Sequence, residues 1–233
     1  MQIKIIGAGP AGLYLSILLK RSGLGSNLTV FEQNAPDATF GFGIVFSDSA
    51  LEFLKDDDPE TYATITPDLE RWNNIKIVHR GEIVTIDGVG FTAIGRLHLL
   101  QLLQQEARNV GGDIHYNHTI GDLKELGEAD LIVGADGINS LVRRSDEALF
   151  GTKTGYLTNR FAWFGTTKRF DALTQTFVET EKGFFNAHHY RYSDKMSTFI
   201  VECDEKTFVD ANLGSLSEIE LKSTMEGVFA GQK

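Results

Sequence analysis

Gly7, Gly9 and Gly12 stand at the spacing G-x-G-x-x-G in the opening stretch IKIIGAGPAGLYLSILLKRSG, and Glu32 follows twenty residues after the last of them. The chemistry open to such residues is anion recognition by main-chain atoms. The first glycine permits a tight turn. The second lets the backbone approach a pyrophosphate at the positive end of a helix, and the third lets helix and strand pack closely. Pro10 and Ala11 fill the turn, and proline suits the first helical position. Glu32, with Gln33 beside it, can accept hydrogen bonds from an adenosine ribose, and its charge disfavours a 2′-phosphate there. The bland alternative is a helix start built from small packing residues, followed by a solvated acid.

Three further stretches carry candidate chemistry. DLIVGADGINSLVRR places Asp136 and Gly137 in a turn after an apolar run, and Arg143 in the helix start that follows. Arg96 opens the amphipathic stretch RLHLLQLLQQEARNVGG, where a cation opposes the helix dipole; it is either a surface residue with an acidic partner or a contact to a bound anion. In DATFGFGIVFSD, Gly41 and Gly43 bracket Phe42, so the backbone can bend there or lie close to something flat. His188, His189, Tyr190 and Tyr192 fall in one aromatic segment. On a strand His188 and Tyr190 face one way and His189 the other, so at most one set enters a pocket, and a half-buried aromatic face explains them equally well. No Ser–His–Asp order, metal-ligand cluster or P-loop occurs, so no catalytic residue is assigned and no metal site is expected.

The elements that must hold these residues follow from periodicity. Ile3–Ile6 reads as a buried parallel strand, and a helix runs from Pro10 through Leu13, Ile17 and Leu18 to stop signals at Arg21 and Gly23. Leu28–Phe31 and Leu131–Val133 read as further strands, with a helix over Ser140–Arg144. Leu99, Leu100, Leu103 and Ala107 line one face of another helix, capped by Gly111. From about Leu157 the period becomes two, with strands expected at Arg160–Thr167, Thr176–Glu179, Phe184–Tyr192 and Met196–Cys203. A last helix is expected over Ser217–Phe229, with Ser217 and Glu220 as its capping box. The acidic run Lys55–Glu60 reads as a solvated loop. The fold class is therefore α/β: a Rossmann-like dinucleotide-binding domain over 1–156, its ligand FAD or NAD(P), and a mainly antiparallel β domain over 157–233.

Composition bounds the function. Of 233 residues, 42% are hydrophobic and 23% charged, the balance of an ordinary globular domain. A net charge of −10 argues against nucleic acid as a partner. No apolar run is long enough to span a membrane, and the N-terminus shows no signal-peptide pattern. The single cysteine, Cys203, excludes an internal disulfide and fits a reducing compartment. The expected location is the cytoplasm.

The N-terminal glycine motif and the Asp136–Gly137 stretch together resemble the class A flavoprotein aromatic monooxygenases, the para-hydroxybenzoate hydroxylase type. FGFGIVFSDSALEFL, DGINSLVR and the stretch WFGTTKRFDALTQTFVETEKGFFNAHHYRYSDKMSTFIVEC are similar to the subgroup acting on aromatic acyl-CoA thioesters, the salicylyl-CoA 5-hydroxylase and 2-aminobenzoyl-CoA monooxygenase group. The resemblance implies FAD at Gly7–Gly12, with NAD(P)H as co-substrate, Asp136 and Gly137 near the pyrophosphate, and Arg96 against the phosphate–ribityl region. It implies that the segment around Gly43 passes beside the flavin and that the β domain over 157–233 is a partial substrate domain, its sheet the floor of a pocket for a small aromatic substrate, with CoA thioesters as the favoured class. The implied reaction is ring hydroxylation with O₂ through a flavin C4a-hydroperoxide, the protein supplying position and water exclusion.

One departure from the family pattern is that the Gly-Asp pairs here, Gly112–Asp113 and Gly121–Asp122, precede the Asp-Gly stretch, whereas the family's ribityl-binding Gly-Asp follows the substrate sheet. The chain is therefore expected to be the front part of a longer enzyme. A non-catalytic or inactive FAD/nucleotide-binding fragment and a plain NAD-dependent dehydrogenase stand as the alternatives.

Overall fold

The computed structural model describes residues 1–231. The N-terminal apolar run forms β1 (Gln2–Ile6), with Ile3 and Ile5 wholly buried, as a strand covered on both faces requires. Pro10 takes the first position of α1 (Pro10–Arg21), with Gly9 as its N-cap residue and Lys20 and Arg21 as cations in its last turn. There follow β2 (Asn27–Phe31), β3 (Gly43–Ser47), α2 (Asp48–Asp57), α3 (Pro59–Ile65), β4 (Glu70–His79), β5 (Glu82–Gly95), α4 (Arg96–Asn109), β6 (Asp113–His115) and β7 (Leu131–Gly134). The short helices α5 (Leu141–Ser145) and α6 (Glu147–Phe150) lead to β8 (Arg160–Thr166), β9 (Leu173–Thr180), β10 (Gly183–Arg191) and β11 (Ser197–Cys203). Helices α7 (Glu205–Asp210) and α8 (Glu218–Val228) complete the order, and α8 begins with the expected Ser217–Glu220 capping box. No helix among the described residues is long and apolar enough to cross a membrane.

The chain divides into two compact units, 1–40 with 97–155, and 41–96 with 156–233. The first unit holds a four-stranded sheet in the order β6-β2-β1-β7, all parallel. This is the Rossmann arrangement: β2 flanks β1 on one side and β7 on the other, so the strand order reverses at β1. Gly12, Leu13, Ser16 and Ile17 are the buried face of α1. An ion pair of 2.5 Å between Arg21 and Glu106 joins α1 to α4.

The second unit holds a seven-stranded sheet in the order β3-β5-β4-β9-β10-β11-β8. Its pairs are antiparallel except β4 with β9, which run parallel from Ile75↔Leu173 to His79↔Phe177. That parallel pairing draws residues 41–96 into the second unit. One sheet face places Phe185, Ala187, Val201 and Cys203 against Met225 and Phe229. Elsewhere Trp72, Ala93, Ala172 and Tyr190 form a second cluster.

The four expected strands of the second half are present, within a few residues of their expected ends. The acidic run is different. Lys55–Asp57 is the last turn of α2, and Asp58, buried at 4% exposure, caps α3 by accepting the Thr61 N–H at 3.1 Å. The N-cap aspartate followed by proline at the first helical position is a helix-start signal, hidden in the sequence by the surrounding acids. The β4–β5 hairpin also lies outside the elements expected from sequence. Arg80 and Gly81 have φ of 50° and 80°, the two positive values of a type I′ turn.

Candidate functional site

The first unit assembles a cradle at the end of β1. Gly7 has a φ of 103°, and a Cβ there would lie 2.3 Å from the Ala135 carbonyl oxygen. A Cβ on Gly12 would lie 1.9 Å from the Gly7 carbonyl oxygen. Both glycines are therefore demanded by the packing of β1, α1 and the turn after β7. Gly9 differs, because a Cβ there would meet nothing within 4 Å. The packing of the chain places no demand on it, and no side chain caps α1. Space in front of an uncapped helix start is what an approaching pyrophosphate needs. Pro10 is half-buried beside it and Ala11 exposed.

Glu32, at the end of β2, is half-buried. Its Oε2 accepts the Ala8 N–H at 2.8 Å, and its Oε1 accepts the Asn34 N–H at 2.9 Å and the Asn34 Nδ2–H at 2.8 Å. The carboxylate thus braces the glycine turn, and each oxygen keeps capacity for a ribose hydroxyl. Gln33 is exposed.

The turn after β7 brings in Asp136 and Gly137. Asp136 Oδ2 accepts the Leu141 N–H at 2.6 Å, while Oδ1 is buried with no partner among the described residues. Gly137 has a φ of 77°, and a Cβ there would meet nothing within 4 Å. Arg143 donates from Nη2 to the Ile138 carbonyl at 2.5 Å. A buried carboxylate oxygen left without a donor is costly unless a ligand or water supplies one. With the open space at Gly9, it makes this set fit the polar half of a dinucleotide.

Gly43 and Arg96 belong to the second unit. They are neighbours, since Gly43 pairs with Gly95 and the Arg96 N–H donates to the Phe42 carbonyl at 2.7 Å. The half-buried Arg96 side chain makes no hydrogen bond or ion pair among the described residues. What lies close to the glycines is aromatic: a Cβ on Gly41 would fall 2.4 Å from the Trp163 ring, and one on Gly43 2.8 Å from Tyr192. The Gly43 carbonyl accepts the Tyr190 hydroxyl at 3.0 Å.

The second unit also contains a cavity of about 870 Å³. His189 lines it at 7% exposure. Its ring stacks on Phe199, with centroids 5.2 Å apart and planes at 13°, and lies 4.1 Å from the Phe170 centroid. Nε2 is 2.9 Å from Thr176 Oγ1, and Nδ1 has no partner among the described residues. Burial first, then the nearby charges of Lys168 and His188, push the His189 pKa down to about 3, so the ring is neutral near pH 7. Lys76, Lys168 and Arg169 also line the cavity. His188 turns away from it and sits 3.7 Å from Glu202. Tyr190 joins the cluster with Trp72, where burial pushes its phenol up to about 12. The alternation read from sequence therefore puts His189 in the cavity and its two neighbours outside. Thr176 and Lys76 were missed as site residues because strand pairing brings them to His189, and Phe170 because it reaches the ring from the connection before β9.

No protein-family model matches the chain. A search of characterised proteins finds salicyloyl-CoA 5-hydroxylase of a Streptomyces species, 38% identical across 100% of this chain and 46% of the relative. It also finds 3-hydroxy-4-methyl-anthranilyl-(aryl-carrier protein) 5-monooxygenase of Streptosporangium sibiricum, 32% identical across 88% of this chain and 57% of the relative. The chain thus spans about half the length of these relatives. Among solved structures, the tetrameric form of 2-methyl-3-hydroxypyridine-5-carboxylic acid oxygenase matches 98% of this chain and 64% of its own, with a TM-score of 0.77 at 19% identity. That likeness establishes the fold, a parallel sheet and a largely antiparallel second sheet. The resemblance read from the motifs holds, since the relatives bear the names of a hydroxylase and a monooxygenase.

Proposed function

We propose that this chain is the FAD-binding and substrate-binding portion of a monooxygenase that hydroxylates an aromatic ring with NAD(P)H and O₂, acting in the cytoplasm. The observation that carries the reading is the cradle at the strand-order reversal, where Gly9 leaves open space before an uncapped helix and Asp136 keeps an unpartnered oxygen. In this reading Gly7, Gly9, Pro10, Ala11 and Gly12 hold the pyrophosphate. Glu32 and Gln33 receive the adenosine ribose, and Asp136, Gly137, Arg96 and Gly43 are further cofactor contacts. The cofactor-binding role falls mainly to residues 1–156 and the substrate floor to 157–233. Bound FAD would supply the redox chemistry and the activation of O₂, which no side chain here can perform. The chain's own work is to bind, to orient and to keep water from the reacting groups. The aromatic cavity of the second unit, with cations beside it, suits an aromatic ring attached to an anionic group, and the names of the relatives point to an aryl thioester.

The test is spectroscopic and then kinetic. Purified protein should take up FAD with a perturbed flavin absorption band. NAD(P)H oxidation should then depend on an aromatic acyl-CoA such as salicyloyl-CoA. Flavin uptake with no oxidation under any such substrate would leave a nucleotide-binding module. Tight NADH binding without flavin would leave a dehydrogenase.

A further inference from the structure

We propose that His189 is a substrate-recognition residue: its Nδ1–H donates to the acyl or carboxyl oxygen of an aromatic acid derivative packed in the cavity against the Phe170–Phe199 wall, and Lys168 and Arg169 hold the anionic part of that ligand. The inference rests on the aromatic-substrate reading and assigns its recognition to particular atoms.

Three observations carry it. First, His189 is a polar side chain more than nine-tenths buried, it lines the cavity, and its Nδ1 has no partner among the described residues. A buried ring nitrogen without a partner is costly, and a ligand in the cavity would remove the cost. Second, the ring packs against two phenylalanines, tilted at 4.1 Å from Phe170 and stacked at 5.2 Å from Phe199, and those two rings lie 6.3 Å from each other; this three-ring cluster holds the imidazole in place and offers an apolar wall to an aromatic guest. Third, the cations at the cavity are not all neutralised. Lys76 is paired with Asp171 at 2.7 Å, and Lys222 lies 3.9 Å from Glu226. Lys168 has only the Phe170 ring at 5.4 Å, and Arg169 has no ion pair or hydrogen bond among the described residues. In a chain of net charge −10, free cations at one cavity select an anionic ligand.

The ligand's charge also selects the tautomer. Nε2 can donate to Thr176 Oγ1 or accept from it, because the hydroxyl rotates to suit. An anionic ligand brings acceptors. The consistent arrangement has the Thr176 hydroxyl donating to Nε2, which leaves the proton on Nδ1. Burial keeps the ring neutral, so recognition is by a directed hydrogen bond.

The experiment reads binding without FAD or NAD(P)H. The chain has two tryptophans, and in a Trp72→Phe background the remaining Trp163 lines the cavity and reports occupancy by fluorescence. Salicylate, salicyloyl-CoA and phenol are titrated against His189→Asn, whose amide can replace the Nδ1 donor, and His189→Gln, whose amide reaches the Nε2 position. His189→Gln should weaken salicylate about tenfold or more, while His189→Asn stays within about threefold, the difference being one charge-assisted hydrogen bond. Phenol, which has no acyl oxygen, should bind both variants alike. Lys168→Ala with Arg169→Ala should weaken salicyloyl-CoA about tenfold and flatten its salt dependence. In the unsubstituted protein, salicylate should shift the nitrogen resonance of a protonated His189 Nδ1, a readout that needs no variant to fold. Equal salicylate affinity in the unsubstituted protein and His189→Gln, no fluorescence response to any ligand, or an unmoved Nδ1 resonance overturns the inference. His189-dependent binding in a protein that never takes up flavin would sink the monooxygenase reading alone. Hydroxylation indifferent to His189→Gln would sink this inference alone.

Discussion

Glu32 is read from sequence as a ribose ligand, and the structure gives its carboxylate a structural task as well. It accepts N–H groups from Ala8 and Asn34, so it ties the glycine turn to the end of β2. Glu32→Ala should therefore weaken ADP and FAD binding and also lower the melting temperature. Each N–H left without its acceptor costs about 1–3 kcal/mol, and for a chain of this size each kcal/mol is roughly 2–4 °C. Calorimetric titration with ADP and a thermal scan measure the two effects; an unmoved melting temperature would remove the bracing role. His189 gives a second expectation at this scale. Its folded pKa, about 3, lies below the ordinary 6.5. Between those values the unfolded chain holds a proton that the folded chain refuses. Its contribution is whole above pH 6.5 and is lost as pH falls toward 3. From pH 6.5 to 5 the loss is about 2 kcal/mol. Urea unfolding at pH 7 and pH 5 should show His189→Asn losing less stability than the unsubstituted protein over that interval, and equal losses would contradict a neutral buried ring.

Among the elements, the turn from β1 into α1 separates two duties that the glycine spacing merges. Gly12→Ala should fold poorly or not at all, because the new Cβ would sit 1.9 Å from a backbone oxygen that cannot move aside. Gly9→Ala should fold normally. Its φ of −69° suits alanine, and nothing lies within 4 Å. What Gly9→Ala should lose is pyrophosphate affinity, by about tenfold or more, since the methyl group would occupy the approach to the helix start. Circular dichroism and ADP titration of the pair check this; full ADP affinity in Gly9→Ala would contradict the cradle. This turn was legible in sequence because its chemistry is local: glycine spacing, Pro10, an apolar run on either side. The α2–α3 corner was not, because Asp58 and Pro59 give their start signal inside a run of acids. The cavity was less legible still. Lys76, His189 and Phe199 meet only because β4 pairs parallel with β9, β9 with β10 and β10 with β11, and Phe170 joins them from the connection that leads into β9. No spacing within one segment announces a pairing between segments about a hundred residues apart in a chain of 233.

At the scale of the whole molecule, each unit carries its own sheet, and each sheet its own proposed ligand. The parallel sheet is built from β1, β2, β6 and β7, and the cradle is made of the turns that leave β1 and β7. The cavity lies in the other unit, lined by side chains of β4, β9, β10 and β11. A ligand that binds only the folded form of its site protects the amides whose exchange requires that site to open, by RT ln(1 + [L]/Kd), about 2.7 kcal/mol at a hundredfold excess over Kd. That corresponds to about a hundredfold slower exchange. ADP, which brings adenosine and pyrophosphate without the flavin ring, should slow Ile3, Ile5, Val30 and Val133. Salicylate should slow Thr176, Ala187, His189 and Val201. Because residues 41–96 are paired into the second sheet through β4, Ile77 and Val78 should follow the salicylate group although they lie nearer in sequence to the glycine motif. Hydrogen exchange with each ligand alone resolves the two sets. If Ile77 and Val78 respond with β1 to ADP and not to salicylate, the cooperative units follow chain order, and the parallel β4–β9 pairing does not govern how the second sheet opens.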